Sequence, residues 1–253
     1  MKVIKHVLEH EEIQIKALSD LHIGSKYCDL KFVEEQIDEI RTTDNMYTFL
    51  NGDLVNMALR DSVSDIYNEV MSPEEQMDLL YDLLLPIKHK ILGFTLGNHT
   101  ARVNKTVGID LIKTLSRMLG LEHLYKAEGI CVFIKYGITK KHTASFYLTH
   151  KGTSGGRRAG GTANGVEDLA GITDVDVYIR SHVHRPLVFK QDFIRTNPGR
   201  MSVKQVTRIY VVTGAAMSYG GYGQMFSYAP GTKLFPNILL TSINNEKHIE
   251  ATI

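Results

Sequence analysis

The sequence predicts an α/β fold, and three observations carry the prediction. Between residues 13 and 118, short apolar runs alternate with amphipathic stretches, the pattern of a parallel sheet crossed by helices. From residue 130 onward strand follows strand, which calls for a mixed or second sheet. Five apolar runs end in Asp, Asn or His, side chains that can hold a metal or move a proton.

The elements follow in order. Residues 3–8 and 13–18 read as strands joined by the charged turn Glu9-His10-Glu11-Glu12, and the second delivers Asp20 and His22. Residues 30–41 carry Leu30, Val33, Ile37 and Ile40 at spacings of three or four, an amphipathic helix. A short strand at 46–50 runs into Asn51-Gly52-Asp53, where the glycine lets backbone approach closely. Ser72-Pro73-Glu74-Glu75 is a capping box with proline at the first helical position. It predicts a helix over 73–89 with Met77, Leu80, Leu84 and Ile87 inward.

A strand at 91–96 ends in Gly97-Asn98-His99-Thr100, and a helix is predicted over 107–118 with Leu111, Ile112, Leu115 and Met118 on one face and Gly120 near its end. Strands at 130–136 and 143–148 flank a turn, and the second ends in Thr149-His150-Lys151. A Gly-rich loop over 153–165 and a short helix at 166–170 precede a strand at 175–179, which ends in Ser181-His182-Val183-His184-Arg185. Further strands are predicted at 187–190, 208–213, 236–242 and 248–253, with a Gly- and Tyr-rich loop over 214–231. No linker divides the chain, so residues 1–253 read as one domain.

Composition excludes several classes. The chain has 43% hydrophobic and 23% charged residues and a net charge of +1, so no global field draws it to nucleic acid or an anionic membrane. Cys28 and Cys131 make no CxxC and no disulfide framework, which fits a reducing, cytoplasmic setting. The start, MKVIKHVLEHEEIQIK, lacks the apolar core of a signal peptide, and no window is long and apolar enough to span a membrane.

Taken singly, the residues at the strand ends have ordinary explanations. Asp20 or Asp53 suits a cap or turn, Asn98 a turn of positive φ, and His150 a buried imidazole bonded to a carbonyl. Taken together they do not, because parallel strands bring their ends to one edge, where open α/β sheets bind ligands. Asp20, His22, Asp53, Asn98, His150, His182 and His184 are seven nitrogen and oxygen donors without a thiolate. That is too many for one tetrahedral ion and suits two ions sharing a carboxylate. Such donors favour Mn²⁺, with Fe, Ni²⁺ or Zn²⁺ as alternatives. Two ions roughly 3.5–4 Å apart can clamp a phosphate and lower the pKa of a bridging water, which then attacks in line. His99 is left free to protonate the leaving oxygen or to steady the developing charge.

These blocks resemble the calcineurin-like metallophosphoesterase superfamily, whose signatures are D-x-H, G-D-x-x-[DN], G-N-H-[DE], a His block and G-H-x-H. Here they read Asp20-Leu21-His22, Gly52-Asp53-Leu54-Val55-Asn56, Gly97-Asn98-His99-Thr100, Thr149-His150 and Ser181-His182-Val183-His184. The resemblance implies two mixed β-sheets packed as a sandwich and flanked by helices. It implies one ion on Asp20, His22 and His184, a second on Asn98, His150 and His182, Asp53 bridging them, and His99 at the leaving group. The tail from Thr213-Gly214 to Pro236-Asn237-Ile238 also looks like short phosphoesterases of bacteria and their phages. Thr100 stands where the family commonly has an acid that orients the histidine, and Ser181 replaces a usual glycine.

The expected activity is hydrolysis of a phosphoester, on a small or nucleotide-like substrate, with a homo-oligomer left open. Lys151, Arg157, Arg158 and Arg185 can hold phosphate oxygens, or the loop that carries Arg157 and Arg158 is a solvated connection. Tyr219, Tyr222, Phe226 and Tyr228 can stack on a base, or instead pin a surface loop or a subunit contact. A DNA-repair-type nuclease is the alternative, disfavoured by the near-neutral charge. A non-catalytic metal-stabilised scaffold is the third, disfavoured by the full ligand set.

Overall fold

Strands β2 (Glu12–Leu18), β3 (Met46–Asn51) and β4 (Ile91–Thr95) are buried along nearly their whole length, so they can only lie inside the molecule, covered on both faces. A computed structural model, which describes residues 1–60, 66–151, 158–225, 227, 230–243 and 245–253, pairs these three in parallel. Antiparallel β10 (Asn237–Ile243) and β11 (Glu246–Thr252) complete a five-stranded sheet in the order β11-β10-β2-β3-β4. The second sheet has six strands. It contains β1 (Lys2–Val7), β5 (Ile130–Tyr136), β6 (His142–Thr149), β7 (Val177–Arg180), β8 (Leu187–Asn197) and β9 (Ser202–Val212), in the order β1-β5-β6-β7-β9-β8. The consecutive strands β1 and β2 therefore lie in different sheets.

The inner faces of the two sheets share one core. Phe49 of β3 meets Phe146 of β6 at 5.4 Å between ring centroids, and Ile130, Val132, Ile179 and Val211 join the same cluster as Ile13, Ile15 and Phe94. Helices α1 (Leu30–Thr42), α2 (Pro73–Leu84) and α4 (Leu111–Met118) bury Val33, Ile37, Leu80, Leu84, Ile112 and Leu115 into it. A smaller cluster of Tyr147, Val166, Leu169, Tyr178 and Tyr210 covers the outer face of the six-stranded sheet. The molecule is thus the expected sandwich of two mixed sheets flanked by helices. Among the described residues no helix is long and apolar enough to cross a membrane.

Several predicted elements are corrected. The helix from Pro73 stops at Leu84 and continues as a 3₁₀ stretch, Leu85–Lys90, because Pro86 has no N–H to donate. Met77 is half-buried and packs on the core as predicted, and Gln76 beside it is fully buried, accepting the Met57 N–H at 3.0 Å. The helix predicted at 107 starts at Leu111, where Asp110 caps it by accepting the Lys113 N–H at 2.9 Å. Its inward residues include Ser116 and Leu119, while Met118 is 57% exposed. An unpredicted helix, α3 (Asn98–Val107), buries only Thr100 and so shows no apolar stripe. Helix α5 (Ala159–Glu167) begins inside the stretch read as loop, and β8 and β9 form a far longer hairpin than the short runs predicted.

Candidate metal centre

Each strand that points at the site ends in a small polar residue, and these residues bond to one another across both sheets. Ser19 Oγ donates to Asp20 Oδ2 at 2.8 Å and lies 2.6 Å from Thr213 Oγ1. Thr213 Oγ1 donates to Ser181 Oγ at 2.9 Å, and Asn51 Nδ2 donates to Ser181 Oγ at 2.6 Å and to the Thr149 carbonyl at 3.0 Å. Thr95 Oγ1 donates to Asn51 Oδ1 at 2.7 Å. All of these residues are buried. Buried polar groups that satisfy one another fix a geometry closely, and this belt locks the ends of β2, β3, β4, β6, β7 and β9 in register. Ser181 in place of glycine thereby acquires a role, as a junction of the belt.

The loops that leave this belt are strained. Asp20, His22, Asp53, His182 and His184 have φ of 51°, 51°, 49°, 79° and 54°. Left-handed backbone at a non-glycine residue costs on the order of 1 kcal/mol or more and collects at functional sites. Five of the seven predicted ligands carry it. Glycine is required beside them: a Cβ on Gly97 would lie 2.0 Å from the Asp53 backbone nitrogen, and one on Gly52 (φ +81°) 2.4 Å from His150 Nδ1.

The seven predicted ligands converge. Asp20, His22 and His184 present ligand atoms within 4.8 Å of one another, as do Asp53, His150 and His182. Asn98 Oδ1 lies 3.1 Å from His150 Nε2. His22, Asp53 and His99 form a third such group, which joins the other two. Each aspartate has one oxygen tied down: Asp20 Oδ2 accepts the His182 N–H at 3.1 Å, and Asp53 Oδ1 accepts the His99 N–H at 2.8 Å. The other oxygen of each faces imidazoles, with Asp20 Oδ1 at 3.1 Å from His184 Nε2 and Asp53 Oδ2 at 3.0 Å from His150 Nε2.

Three details test whether a cation fits. Asp20 Oδ1 is buried without a hydrogen bond, although an imidazole nitrogen is 3.1 Å away. His150 Nδ1 must donate to the Asn51 carbonyl at 2.7 Å, and His22 Nδ1 donates to Asn56 Oδ1 at 3.1 Å, an amide oriented by its bond to Glu69. In its neutral form each ring therefore turns an Nε2 lone pair inward, as metal-binding histidines do. Finally, adjacent ligand atoms on an octahedron with bonds of about 2.1 Å lie about 3.0 Å apart. The spacings of 3.1 Å for His22 Nε2 to His184 Nε2, 3.1 Å for His184 to Asp20, and 3.0 Å for His150 to Asp53 match that edge. The residues present fit divalent ions.

Electrostatics divide the site. Burial would raise the Asp20 carboxyl, but His150 and His184 outweigh it and hold it at about 2. Asp53 is likewise held low against its burial, chiefly by His150. Burial would lower His150, yet Asp53 and Asp20 push it up to about 9. His184 is raised by Asp20, also against its burial. His22 and His182 are lowered, first by burial and then by neighbouring imidazoles.

His99 is lowered to about 4 by burial, opposed by Asp53 and reinforced by Arg102. Its Nδ1 donates to the Asn56 carbonyl at 2.7 Å, which orients the ring without the acid that Thr100 replaces. Thr100 is fully buried and its hydroxyl turns back to the Gly97 carbonyl at 3.4 Å. Arg102 donates to the carbonyls of His99 and Asn56, both at 3.2 Å.

The residues predicted to touch substrate are less gathered. Arg185 is half-buried beside His184, whereas Lys151 and Arg158 are exposed. Arg157, Phe226 and Tyr228 lie outside the described residues, as does the side chain of Tyr222. Tyr219 is exposed, and the loop's base is pinned to the site, with the Ala216 N–H bonded to the Asp20 carbonyl at 3.1 Å. Sequence reading placed Asn56 in a signature block without its bonds to His22 and His99, and it missed Arg102 and the polar belt. The belt had a signal: Ser19, Asn51, Thr95, Thr149, Ser181 and Thr213 each follow or end an apolar run.

No protein-family profile matches the chain, and no curated protein matches it. Solved structures do. GAP50, the anchor in the inner membrane complex of Plasmodium, aligns with TM-score 0.46 and 11% identity over 92% of this chain and 82% of its own. A metallophosphoesterase from Sphaerobacter thermophilus aligns with TM-score 0.42 and 12% identity over 95% and 88%. An uncharacterized protein from Streptococcus pneumoniae, described as a predicted phosphoesterase, aligns with TM-score 0.39 and 13% identity over 95% and 98%. Two of the three are described as phosphoesterases, the class that the motif blocks resemble. At such identities and scores the likeness carries no functional argument, which rests on the geometry of the site.

Proposed function

We propose that the chain hydrolyses phosphoesters with two divalent ions, one on Asp20, His22 and His184, the other on Asn98, His150 and His182, with Asp53 between them. The observation that supports this most is the convergence of the seven donors, four pairs of them 3.0–3.1 Å apart and five of the residues on left-handed backbone. Bound there, the ions would supply a Lewis acid for the phosphate and a water acidified for attack. The thiolate-free set of four imidazole nitrogens and three oxygens admits Mn²⁺, Fe, Ni²⁺ or Zn²⁺, and we take Mn²⁺ as the working assignment.

The chain's own residues do the rest. Asp53, with one oxygen held by the His99 N–H, keeps the other aimed between the two histidine groups. His99 is neutral at pH 7, with Nδ1–H fixed on the Asn56 carbonyl and an Nε2 lone pair 3.9 Å from Asp53 Oδ2. Anionic phosphate oxygens beside Nε2 would offset Arg102 and raise its pKa. Nε2 then takes up a proton and passes it to the leaving oxygen. Arg185 and Lys151 would hold non-bridging oxygens, and the sequence offers Arg157 and Arg158 for the same role. A net charge of +1 supports a small or nucleotide-like substrate over long DNA.

The test is a metal-stripped preparation reloaded with Mn²⁺ and given bis-p-nitrophenyl phosphate, the matching monoester, cyclic nucleotides and single-stranded DNA. The expected result is diester turnover that His99→Ala and Asp53→Ala abolish. Full activity in either variant, or no turnover with any of Mn²⁺, Fe²⁺, Ni²⁺ and Zn²⁺, would overturn the proposal. A clear preference for DNA would move it to the nuclease reading.

A further inference from the structure

Among the described residues the six-stranded sheet has two open edges, and they differ. One is β1, six residues with Lys2 and Lys5 and no acid. The other is β8, eleven residues long, hydrogen-bonded only to β9, and without an internal proline. A long straight edge strand with free N–H and C=O groups invites another strand, and proteins normally blunt such edges. Here Pro186 and Pro198 bracket the strand and leave its length unblunted.

We propose that β8 pairs antiparallel with β8 of a second copy of this chain, about a two-fold axis through Gln191. The support is the strand's own sequence, LVFKQDFIRTN. An axis perpendicular to the sheet through Gln191 sets Lys190 opposite the partner copy's Asp192 and Asp192 opposite its Lys190, on one face. Val188 then covers Ile194, which in the single chain is 66% exposed. On the other face Phe189 meets Phe193, both half-buried rings. Opposite charges and aromatic or branched pairs directly across two strands are the stabilising combinations in antiparallel sheets. The register repeats each pair twice, as an isologous contact must.

A second observation falls on the axis. Gln191 Oε1 is buried with no hydrogen-bond partner among the described residues, so the chain itself does not hold this amide in place. On the two-fold Gln191 lies opposite the same residue of the other copy, and a side-chain turn that brings Oε1 outward lets each accept from the opposite Nε2. Edge β1 offers no such match, having no acid to set against Lys2 and Lys5. The two sheets would join into one of twelve strands. The hairpin tips point away from the edge that carries the metal ligands, because β8 runs antiparallel to β9 and β9 parallel to β7.

The experiment is light scattering and sedimentation on the full chain. A species of twice 28.5 kDa is expected, and a monomer at every accessible concentration overturns the proposal. Lys190→Glu sets like charges together twice per dimer and should weaken association roughly tenfold or more. Adding Asp192→Lys to it restores opposite charges and should restore the dimer. A dimer indifferent to Lys190→Glu, in protein with unchanged circular dichroism and melting, places the contact elsewhere and also overturns it. Hydrogen exchange of the unaltered chain gives an answer that no variant's folding can obscure. The outward amides of 187–197 should gain protection as concentration rises, and unchanged protection would count against the pairing.

Discussion

His150 and His99 are held alike, yet one is pushed toward its charged form and the other toward its neutral form. Each ring donates Nδ1–H to a backbone carbonyl at 2.7 Å, from Asn51 and Asn56 respectively, and each turns Nε2 toward Asp53. Yet His150 is pushed up to about 9 and His99 down to about 4. Both are penalised by burial first. The difference lies in what faces Nε2. His150 has Asp53 Oδ2 at 3.0 Å and a second carboxylate in Asp20, whereas His99 stands at 3.9 Å with Arg102 on its other side. One imidazole sits where a positive charge is wanted, the other where it is resisted. A cation suits the first position, and a proton carried only briefly suits the second.

Breaking the shared anchor should have the largest effect. Asp53→Asn keeps the shape and removes the charge that raises both histidines. Metal content measured by elemental analysis should fall and turnover should drop below detection. A variant that still holds two ions would show that Asp53 does not join the two halves. Next in size is His99→Gln, which should lower kcat by roughly 10²–10⁴-fold with metal content unchanged. If it instead loses metal, His99 is a ligand and the contrast between the two histidines fails.

The contrast can also be titrated. In the metal-free protein, His150 has a folded pKa of about 9, above its ordinary value of 6.5. Its contribution to stability is then fully present below about pH 6.5 and is lost as pH rises through about 9. A metal ion must displace that proton. Apparent metal affinity should therefore rise with pH across the same window, about tenfold per pH unit for each proton released. Calorimetry in buffers of different ionisation enthalpy counts those protons, and a pH-independent affinity would remove His150 from the ligand set.

The seven donors were legible in the sequence because each follows an apolar run that must be a buried strand, and strand direction alone sends them to one edge. Asp20, Asp53 and His150 needed no long-range information beyond that. The belt of Ser19, Asn51, Ser181 and Thr213 was not legible, because a lone Ser or Thr after a strand reads as a turn until its partner in the other sheet is known. Helix α3, which carries Asn98, His99 and Arg102, buries too little to show a helical stripe. Its formation rests on Gly97 at one end, Gly108 at the other (φ +74°), and the pull of the site. The far half of the β8–β9 hairpin is exposed on both faces, so neither strand alternates apolar with polar there.

Arg102 offers the finest test, because it acts on His99 through charge and through carbonyls rather than through the ring. Burial contributes most to the low pKa of His99, Asp53 opposes it, and Arg102 adds to it. Replacing Arg102 with Met removes a positive charge, so protonated His99 becomes easier to form and its pKa rises. The limb of the kcat/KM profile that reports His99 should move to higher pH by a fraction of a unit, and Arg102→Lys should leave it nearly in place. Metal content should not change in either variant, since Arg102 meets the site through the carbonyls of His99 and Asn56. A shift to lower pH in Arg102→Met would mean that the guanidinium mainly holds Asn56 in position, and that the Asn56 carbonyl rather than the charge sets how His99 takes up its proton.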